Sequence, residues 1–246
     1  ESEKFAGAVA TYAIEALMQD KRALQAGTSH FLGQNFAKAF DVQFQGREGS
    51  LEHVWATSWG VSTRLVGALV MAHSDDSGLV IPPKLAPVQA VVVPIFKNEN
   101  KDEILEYARG IYARLQKAGF RCKIDEDDNY SPGWKFSEYE MRGVPVRIEV
   151  GPRDMSGGKA MLVRRDNGEK TPVSADALPT TVEALLEEIQ GSLFERAKSF
   201  RDENTARPES YEEFITYFNE QGGGFAIAPW DGEAESEATV KADTKA

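Results

Sequence analysis

The chain has 246 residues, of which 41% are hydrophobic, so it is long enough for two modest domains with packed cores. Its single cysteine, Cys122, excludes a disulfide framework and any multi-cysteine metal site within the chain, and it fits a reducing compartment. The formal net charge of −11 does not indicate a protein that coats DNA, and no apolar run approaches the ~18 residues of a membrane span.

The charge is unevenly distributed, and the middle of the chain is its most basic part. Residues 87–170 hold 15 of the 28 Lys and Arg residues, whereas residues 171–246 hold 16 of the 39 Asp and Glu residues. The middle segment can therefore present a local basic face.

Residues 1–86 are predicted to form the first unit. Periodicity indicates a helix around residues 12–18. A second helix is predicted in "QAGTSHFLGQNFAKAF" (residues 25–40), with Thr28 or Ser29 as its N-cap and an apolar stripe at spacing four. The stripe residues, which we expect to be buried, are Leu32, Phe36 and Phe40.

Two strands and a third helix complete this first segment. "DVQFQ" and "HVWATSW" alternate apolar and polar residues as half-buried strands do. "GVSTRLVGALVMAH" (residues 60–73) is apolar on nearly every side, which predicts a buried helix. The Pro-rich "IPPKLAP" (residues 81–87) indicates a domain boundary.

Residues 87–203 follow the order βαβαβββα, which predicts one α/β domain with a mixed sheet covered by three helices. The continuous apolar run "VQAVVVPIF" predicts a fully buried strand. The second helix, in "SPGWKFSEYEMRG", has Ser131 as N-cap, Pro132 at its first position and Gly143 at its end. A hairpin is predicted in "AMLVRRDNGEKTPVS" around its Asn-Gly pair, and a long amphipathic helix over residues 180–200.

Residues 204–246 are predicted to begin a third segment. Ser210 and Glu213 form a capping box for a helix that runs through about residue 220. "GGGFAIAPW" then predicts a strand, and the remaining tail is acidic.

Arg64 is a candidate for a functional role because apolar residues surround it in the helix predicted over residues 60–73. Burying an unpaired guanidinium costs on the order of several kcal/mol, so Arg64 needs a carboxylate, backbone carbonyls or a bound anion. A structural ion pair or a snorkelling side chain would satisfy this need. A ligand phosphate would also satisfy it, because the guanidinium fork matches phosphate oxygens.

Short polar residues begin the segment 25–40, and a plain cap explains only one of them. Gln25 and Thr28 can exchange hydrogen bonds with a nucleotide, while Gly27 lets the backbone approach a ligand closely. His30 can orient a small polar substrate. The alternative is a capped helix beside a core histidine whose hydrogen bonds are satisfied.

Charged and aromatic residues cluster around the second helix of the middle domain. Arg side chains and carboxylates can recognise base edges, and aromatic rings stack on unpaired bases. The alternative is a salt-bridged surface helix, which such charge runs usually form. The cluster consists of Lys135, Glu138, Arg142, Arg147 and Arg153, with Trp134 and Tyr139.

Two long segments resemble a known family. They are "ALQAGTSHFLGQNFAKAF…TSWGVSTRLVGALVMAHSDDSGLVIPPKLAP" and "PGWKFSEYEMRGVPVRIEVGPRD". Both resemble prolyl-tRNA synthetases, which are class II aminoacyl-tRNA synthetases, in the form found in archaea, eukaryotic cytoplasm and some bacteria. That form carries a C-terminal extension after its anticodon-binding domain.

The resemblance covers nearly the whole chain and implies three parts. Residues 1–86 resemble the C-terminal part of the antiparallel-sheet catalytic domain, including the third class II motif. Residues 87–203 resemble the α/β anticodon-binding domain, which implies a mixed five-stranded sheet with three helices. Residues 204–246 resemble the start of the α/β extension, which is truncated here.

The resemblance also implies roles for the residues singled out above. His30 matches a residue of the proline pocket, and Arg64 would stabilise charge on phosphate as a catalytic residue. The implied ATP contacts are Gln25, Thr28, Ser62 and Arg64. The residues expected to recognise the two guanines that proline anticodons share are Lys135, Glu138, Arg142 and Arg147.

The implied reaction joins L-proline and ATP, the latter with Mg²⁺, into prolyl-adenylate and then transfers the prolyl group to tRNA(Pro). For the full-length protein the family implies a cytoplasmic homodimer that binds neither a membrane nor DNA.

Three departures from the family pattern bear on activity. The first two class II motifs are absent and the chain stops within the extension, so we do not expect this chain to be active alone. The family's extension commonly begins with cysteines that bind zinc, but "PWDGEAESE" has Asp231 and Ser236 at those positions, so no metal site is expected. The alternative function is a noncatalytic, synthetase-like tRNA-binding or accessory module.

Overall fold

The computed structural model describes residues 4–244, which divide into two compact units. One unit contains the residues up to 72 together with those from 200 onward, and the other contains residues 73–199. The three-part division implied by the family stays a prediction, and the outer ends of its first and third parts (residues 1–3 and 245–246) lie outside the described residues.

The first unit begins with a small antiparallel sheet. In chain order its elements are β1 (Ala10–Leu17), β2 (Ala23–Gly33), α1 (Asn35–Ala39), β3 (Gln43–Gln45), β4 (Leu51–His53), β5 (Ala56–Gly60) and α2 (Arg64–His73). Strands β1, β2 and β5 pair antiparallel in the order β1–β2–β5, and β3 pairs with β4 as a separate hairpin.

The helices predicted at the start of this unit are wrong. The segment around residues 12–18 belongs to β1, and most of the helix predicted in residues 25–40 is β2, so neither proposed N-cap residue begins a helix. Only Asn35–Ala39 is helical, and Phe40 of the expected buried stripe is 74% exposed. The physical reason is that β2 lies between β1 and β5, and this non-local pairing outweighs a local helical pattern.

The helix predicted over residues 60–73 is confirmed as α2, which begins at Arg64. The burial predicted for this helix is wrong, because Ala68 is buried but several large apolar side chains of α2 are exposed. These exposed side chains are Leu65, Val66, Val70 and Met71. The elements present in residues 4–244 leave that side of the helix uncovered.

The second unit contains the mixed five-stranded sheet expected from the sequence. Its elements are β6 (Ala90–Pro94), α3 (Lys101–Lys117), β7 (Cys122–Ile124), α4 (Pro132–Met141), β8 (Val146–Val150), α5 (Pro152–Ser156), β9 (Lys159–Arg164), β10 (Lys170–Ser174) and α6 (Leu178–Glu203). The strand order is β10–β9–β8–β6–β7. Strand β6 is parallel to both of its neighbours, and the other pairs are antiparallel.

The core of the second unit explains why its elements are predictable. All five residues of β6 are buried, as the continuous apolar run predicts. Helices α3 and α6 each place an apolar stripe in the same core, for example Ile104, Ile111 and Leu193, which are at most 1% exposed. Each fully buried side chain of this size contributes about 1.5–3 kcal/mol.

Helix α4 has the termini that the sequence predicts. The Ser131 hydroxyl accepts a hydrogen bond from the Trp134 backbone N–H at 3.3 Å, and Pro132 begins the helix. Gly143 adopts a φ of +69°, which glycine tolerates after a helix end. The short helix α5 is an addition to the three helices predicted, and the Asp154 carboxylate caps it by accepting from the Gly151 N–H at 2.9 Å.

The chain then returns to the first unit through β11 (Thr205–Ala206), α7 (Tyr211–Gln221), β12 (Phe225–Ala226) and α8 (Ala234–Thr244). The Ser210 hydroxyl accepts from the Glu213 N–H at 3.2 Å, which confirms the predicted cap. The strand predicted in "GGGFAIAPW" is only two residues long and is parallel to β11. Gly223 passes so close to the first segment that a Cβ would lie 2.8 Å from the Lys21 carbonyl oxygen.

None of the helices in the described part of the chain combines the length and apolarity that a membrane crossing requires.

Candidate functional site

A β-bulge places three of the predicted ligand-binding residues on one face of the small sheet. His30, Thr28 and Gln25 pair with alternate residues of β1, while Ala26 has no partner there. Cross-strand partners share a face, and side chains of a strand alternate between faces. The extra residue at Ala26 therefore turns Gln25 to the face of Thr28, which the sequence alone does not reveal.

Arg64 lies at the first position of α2, where it contacts Gln25. Its Nη1 donates to the Gln25 carbonyl oxygen at 3.3 Å and to Gln25 Oε1 at 3.2 Å. The Ser62 hydroxyl accepts from the Arg64 backbone N–H at 3.3 Å. The expected burial of Arg64 is wrong because the helix begins at this residue, so its side chain reaches solvent.

Thr28 and His30 continue the same face. Thr28 pairs with Gly60 of β5, and a Cβ at Gly60 would lie 3.3 Å from the Thr28 hydroxyl. His30 Nδ1 lies 3.0 Å from the Thr11 hydroxyl, and its ring lies 4.7 Å from that of Phe5. His30 is half-buried, and its Nδ1 is hydrogen-bonded to Thr11. Its Nε2 is therefore the nitrogen that can bind a further partner.

A cleft of about 880 Å³ opens on this side of the sheet within the first unit. Thr11, Ala13 and Gln25 line it from the sheet. The segment that follows α6 lines it with aromatic side chains, including Tyr211 and Trp230. No local sequence pattern associates these aromatic residues with the ligand-binding face, because they are about 200 residues distant along the chain.

The predicted anticodon-binding residues on α4 differ in how deeply they are buried. Lys135 is only 2% exposed, and its Nζ lies 3.0 Å from the Asp125 carboxylate and donates to the Asp125 carbonyl oxygen. Tyr139 donates to the same carboxylate at 2.8 Å. Lys135 thus ties α4 to the end of β7, and in this conformation it does not face a ligand.

The ionisation of this buried group follows from its contacts. Burial raises the pKa of Asp125, but the hydrogen bonds from Tyr139 and Lys135 outweigh it, so the pKa lies below its ordinary value. Burial and the same carboxylate raise the pKa of Tyr139. At neutral pH Asp125 is therefore ionised, while Tyr139 keeps its proton and donates it in the hydrogen bond to Asp125.

Glu138 and Arg142 form an ion pair one turn apart on α4, with the Arg142 Nη2 at 2.6 Å from Glu138 Oε1. Arg142 is largely exposed, so this pair has the geometry of the salt-bridged surface helix considered as the alternative. Arg142 remains reachable by a ligand at the surface, whereas the Glu138 side chain is only 17% exposed.

Arg147 lines a cleft of about 470 Å³ in the second unit, which we call the hairpin cleft. Its guanidinium lies 4.4 Å from the centre of the Phe136 ring, and its Nη2 lies 3.0 Å from Glu149. Further polar residues, none of them predicted from the sequence as site residues, also line the hairpin cleft, among them Asp75, Glu140, Arg165, Asn167 and Lys170. The predicted Asn-Gly turn was the signal for the last two, since it brings them toward β8.

The second unit has the fold of a known domain class. Residues 89–185, which hold its five-stranded sheet, match the family described as "Anticodon binding domain". The chain therefore belongs to the class of proteins that contain an anticodon-binding domain.

Relatives that match the whole chain identify the family more closely. The chain is 57% identical over 247 residues to the proline–tRNA ligase of Prosthecochloris aestuarii. It is 58% identical to that of Chlorobaculum tepidum and 54% identical to that of Bacteroides fragilis. All of this chain is covered, and it spans about half the length of these relatives. The chain thus matches the C-terminal portion of prolyl-tRNA synthetases, which confirms the resemblance carried by its motifs.

Proposed function

We propose that the chain is part of a proline–tRNA ligase, which activates L-proline with ATP and transfers it to tRNA(Pro). The observation that carries the proposal is the identity of 54–58% with such enzymes along the whole chain. At this level of identity a ligand-binding face is expected to keep its chemistry.

The ATP site is proposed at the N-terminus of α2, where Arg64, Gln25 and Ser62 meet. The guanidinium and the positive end of the helix dipole create a positive region that suits phosphate. Gln25 holds the guanidinium in place, and Arg64 would stabilise the negative charge that develops during adenylate formation. Mg²⁺ enters with ATP as part of the substrate.

Thr28 and His30 extend this proposed site along β2. Thr28 would contact ATP beside Gly60, whose missing side chain leaves room for a ligand. His30 would contact proline through Nε2, because Thr11 engages its Nδ1.

The anticodon is proposed to bind at the hairpin cleft. Arg147 and Lys170 can donate to the O6 and N7 acceptors of guanine, and Glu140 can accept from its N–H groups. Arg142 lies at the surface, where it would contact phosphate or base, and its ion pair with Glu138 would orient it. Lys135 is proposed to support α4 instead of contacting a base, since Asp125 occupies its ammonium group.

The full-length protein is proposed to act as a cytoplasmic homodimer without a zinc ion in its extension. The Ser236 hydroxyl donates to Asp231 Oδ2 at 2.5 Å, so the positions of the family's cysteines form a hydrogen-bonded pair. A hydroxyl is a poor zinc ligand compared with thiolate.

Proline-dependent ATP–pyrophosphate exchange by the full-length protein tests the proposal. Exchange with proline that is at least ~100-fold faster than with alanine or cysteine supports it, because discrimination reflects differences in transition-state binding. Salt-sensitive tRNA binding without any exchange would instead support the noncatalytic module.

A further inference from the structure

Arg165 and Asp75 line the hairpin cleft, and Arg165 also contacts the end of α4. Its Nε donates to the Glu140 carbonyl oxygen at 2.8 Å. Its Nη1 and Nη2 donate to the two oxygens of Asp75 at 2.8 and 2.6 Å. The Arg165 side chain is 6% exposed, whereas Asp75 is 50% exposed. Each of the three guanidinium nitrogens therefore donates to a defined acceptor, and the two bonds to Asp75 have the bidentate geometry of a strong ion pair.

The segment around Asp75 lies against the same helix end. The Leu79 N–H donates to the Met141 carbonyl oxygen at 2.9 Å. A Cβ at Gly78 would lie 2.5 Å from Met141 Cα, and a Cβ at Gly143 would lie 2.6 Å from the Leu79 carbonyl oxygen. Two backbones therefore meet without room for side chains, and this fixes the position of the last turn of α4.

The fixed turn includes Glu140, which lines the hairpin cleft together with Arg147 and Lys170. The last carbonyl groups of a helix have no partners within the helix. Here Arg165 donates to the Glu140 carbonyl oxygen, and the Leu79 N–H donates to the Met141 carbonyl oxygen. Movement of this turn would move Glu140 relative to Arg147, which β8 carries. Guanine offers O6 and N7 to a guanidinium and N–H groups to a carboxylate. A cleft that holds these two side chains at the right spacing can therefore distinguish guanine from adenine.

We propose that Arg165 is a positioning residue for anticodon recognition, which holds the last turn of α4 so that Glu140 and Arg147 face one base together. Asp75 orients the guanidinium through its two oxygens. The hydrogen bond from Arg165 holds the pKa of Asp75 below its ordinary value, so this carboxylate is ionised at neutral pH. This inference rests on the proposed function of the hairpin cleft.

The test uses the full-length protein with Arg165→Lys, which keeps the charge but loses the geometry of the fork. Aminoacylation is measured with tRNA(Pro) and with a transcript in which adenines replace the two shared anticodon guanines. We expect the preference for tRNA(Pro), as a ratio of kcat/KM, to fall about tenfold, because a small displacement of a positioned group has effects of this size or larger. Proline-dependent pyrophosphate exchange, which needs no tRNA, should stay within about twofold.

Arg114→Lys is the matched control. Arg114 also bridges a backbone carbonyl and a carboxylate in the second unit, with Nη1 at 3.0 Å from the Ala175 oxygen and 2.7 Å from Asp176 Oδ1. It does not line the hairpin cleft, so its substitution should leave the anticodon preference unchanged. Should Arg165→Lys fail to fold in a thermal melt, Asp75→Asn loosens the same guanidinium from a half-exposed position and is expected to lower the preference too.

Equal anticodon preference in the wild type, Arg165→Lys and Asp75→Asn would overturn the positioning role alone. A wild-type enzyme without any preference for the guanines would overturn the proposed function of the cleft and this inference with it. A loss of preference in Arg114→Lys as large as in Arg165→Lys would reduce Arg165 to a general structural residue.

Discussion

At the scale of single residues, Arg64 stands at a helix end where a positive charge is unfavourable. The N-terminus of α2 carries the positive end of the helix dipole, and a cation there costs about 0.3–1 kcal/mol. Two hydrogen bonds to Gln25 hold the guanidinium in this place. An anion bound between the guanidinium and the helix would remove the repulsion, which is why the arrangement suits phosphate.

Arg64→Lys in the full-length protein should slow pyrophosphate exchange by roughly a hundred- to thousandfold, as expected for a lost transition-state contact. The melting temperature should change little, because Arg64 is exposed. Exchange and thermal unfolding are measured on one preparation, with Arg22→Lys as control, since Arg22 is an exposed guanidinium near Asp20. Normal exchange by the Arg64 variant would remove its catalytic assignment.

His73 provides a pH dependence of stability. Burial lowers its pKa below 6.5, and the nearby Arg196 lowers it further. Between the folded and unfolded pKa values the unfolded chain binds more protons, so the free energy of unfolding should fall as the pH decreases below about 6.5. Denaturant unfolding of the chain at about pH 7 and about pH 5.5 measures the decrease, and His73→Gln should make it smaller. An unchanged decrease in the variant would assign the effect to other groups.

At the scale of elements, the predictions succeed where local signals and burial agree. Ser131 with Pro132 predicts the start of α4, and the run before Pro94 predicts β6, because cap chemistry and two-sided burial act within a few residues. They fail at β1 and β2, where the apolar spacing of Leu32 and Phe36 suggests a helix but pairing with distant strands decides the structure. The bulge at Ala26 depends on register, which no local pattern encodes. The buried role of Lys135 was equally invisible, because Asp125 approaches it only after folding.

Insertion of an alanine between Ile14 and Glu15 tests the importance of the bulge. With a partner for Ala26 in β1 the two strands alternate regularly, so Gln25 should turn to the opposite face of β2 and Arg64 should lose its side-chain partner. We expect the KM for ATP in pyrophosphate exchange by the full-length protein to rise at least as much as in Gln25→Ala, which removes the side chain but keeps the register. An unchanged KM for ATP in the insertion variant would show that this face does not bind the nucleotide.

At the scale of the whole molecule, the small sheet has an apolar face opposite the candidate ligand face. Tyr12, Ser29 and Trp59 lie in one cross-strand row, and Trp59 is 80% exposed. Ile14 and Val61 are also exposed. The elements described in residues 4–244 leave this face uncovered, and the chain spans about half the length of the relatives it matches.

The 246-residue chain alone should therefore retain tRNA binding but not catalysis. We expect no proline-dependent pyrophosphate exchange, because this chain spans only about half the length of the relatives named as proline–tRNA ligases. Binding of tRNA should weaken as salt increases, since Lys and Arg side chains displace counterions from phosphate. Measurable exchange by the isolated chain, or tRNA binding that does not depend on salt, would contradict this division of roles.

The chain leaves the first unit at residue 73 and returns to it at residue 200, so the second unit is an insertion with two covalent attachments. The two pieces of the first unit touch closely, as the approach of Gly223 to Lys21 illustrates. A protease that cuts once within the inserted unit would therefore release nothing. The nicked protein would migrate as two fragments on a denaturing gel and as one species in gel filtration, because each piece of the first unit completes the other.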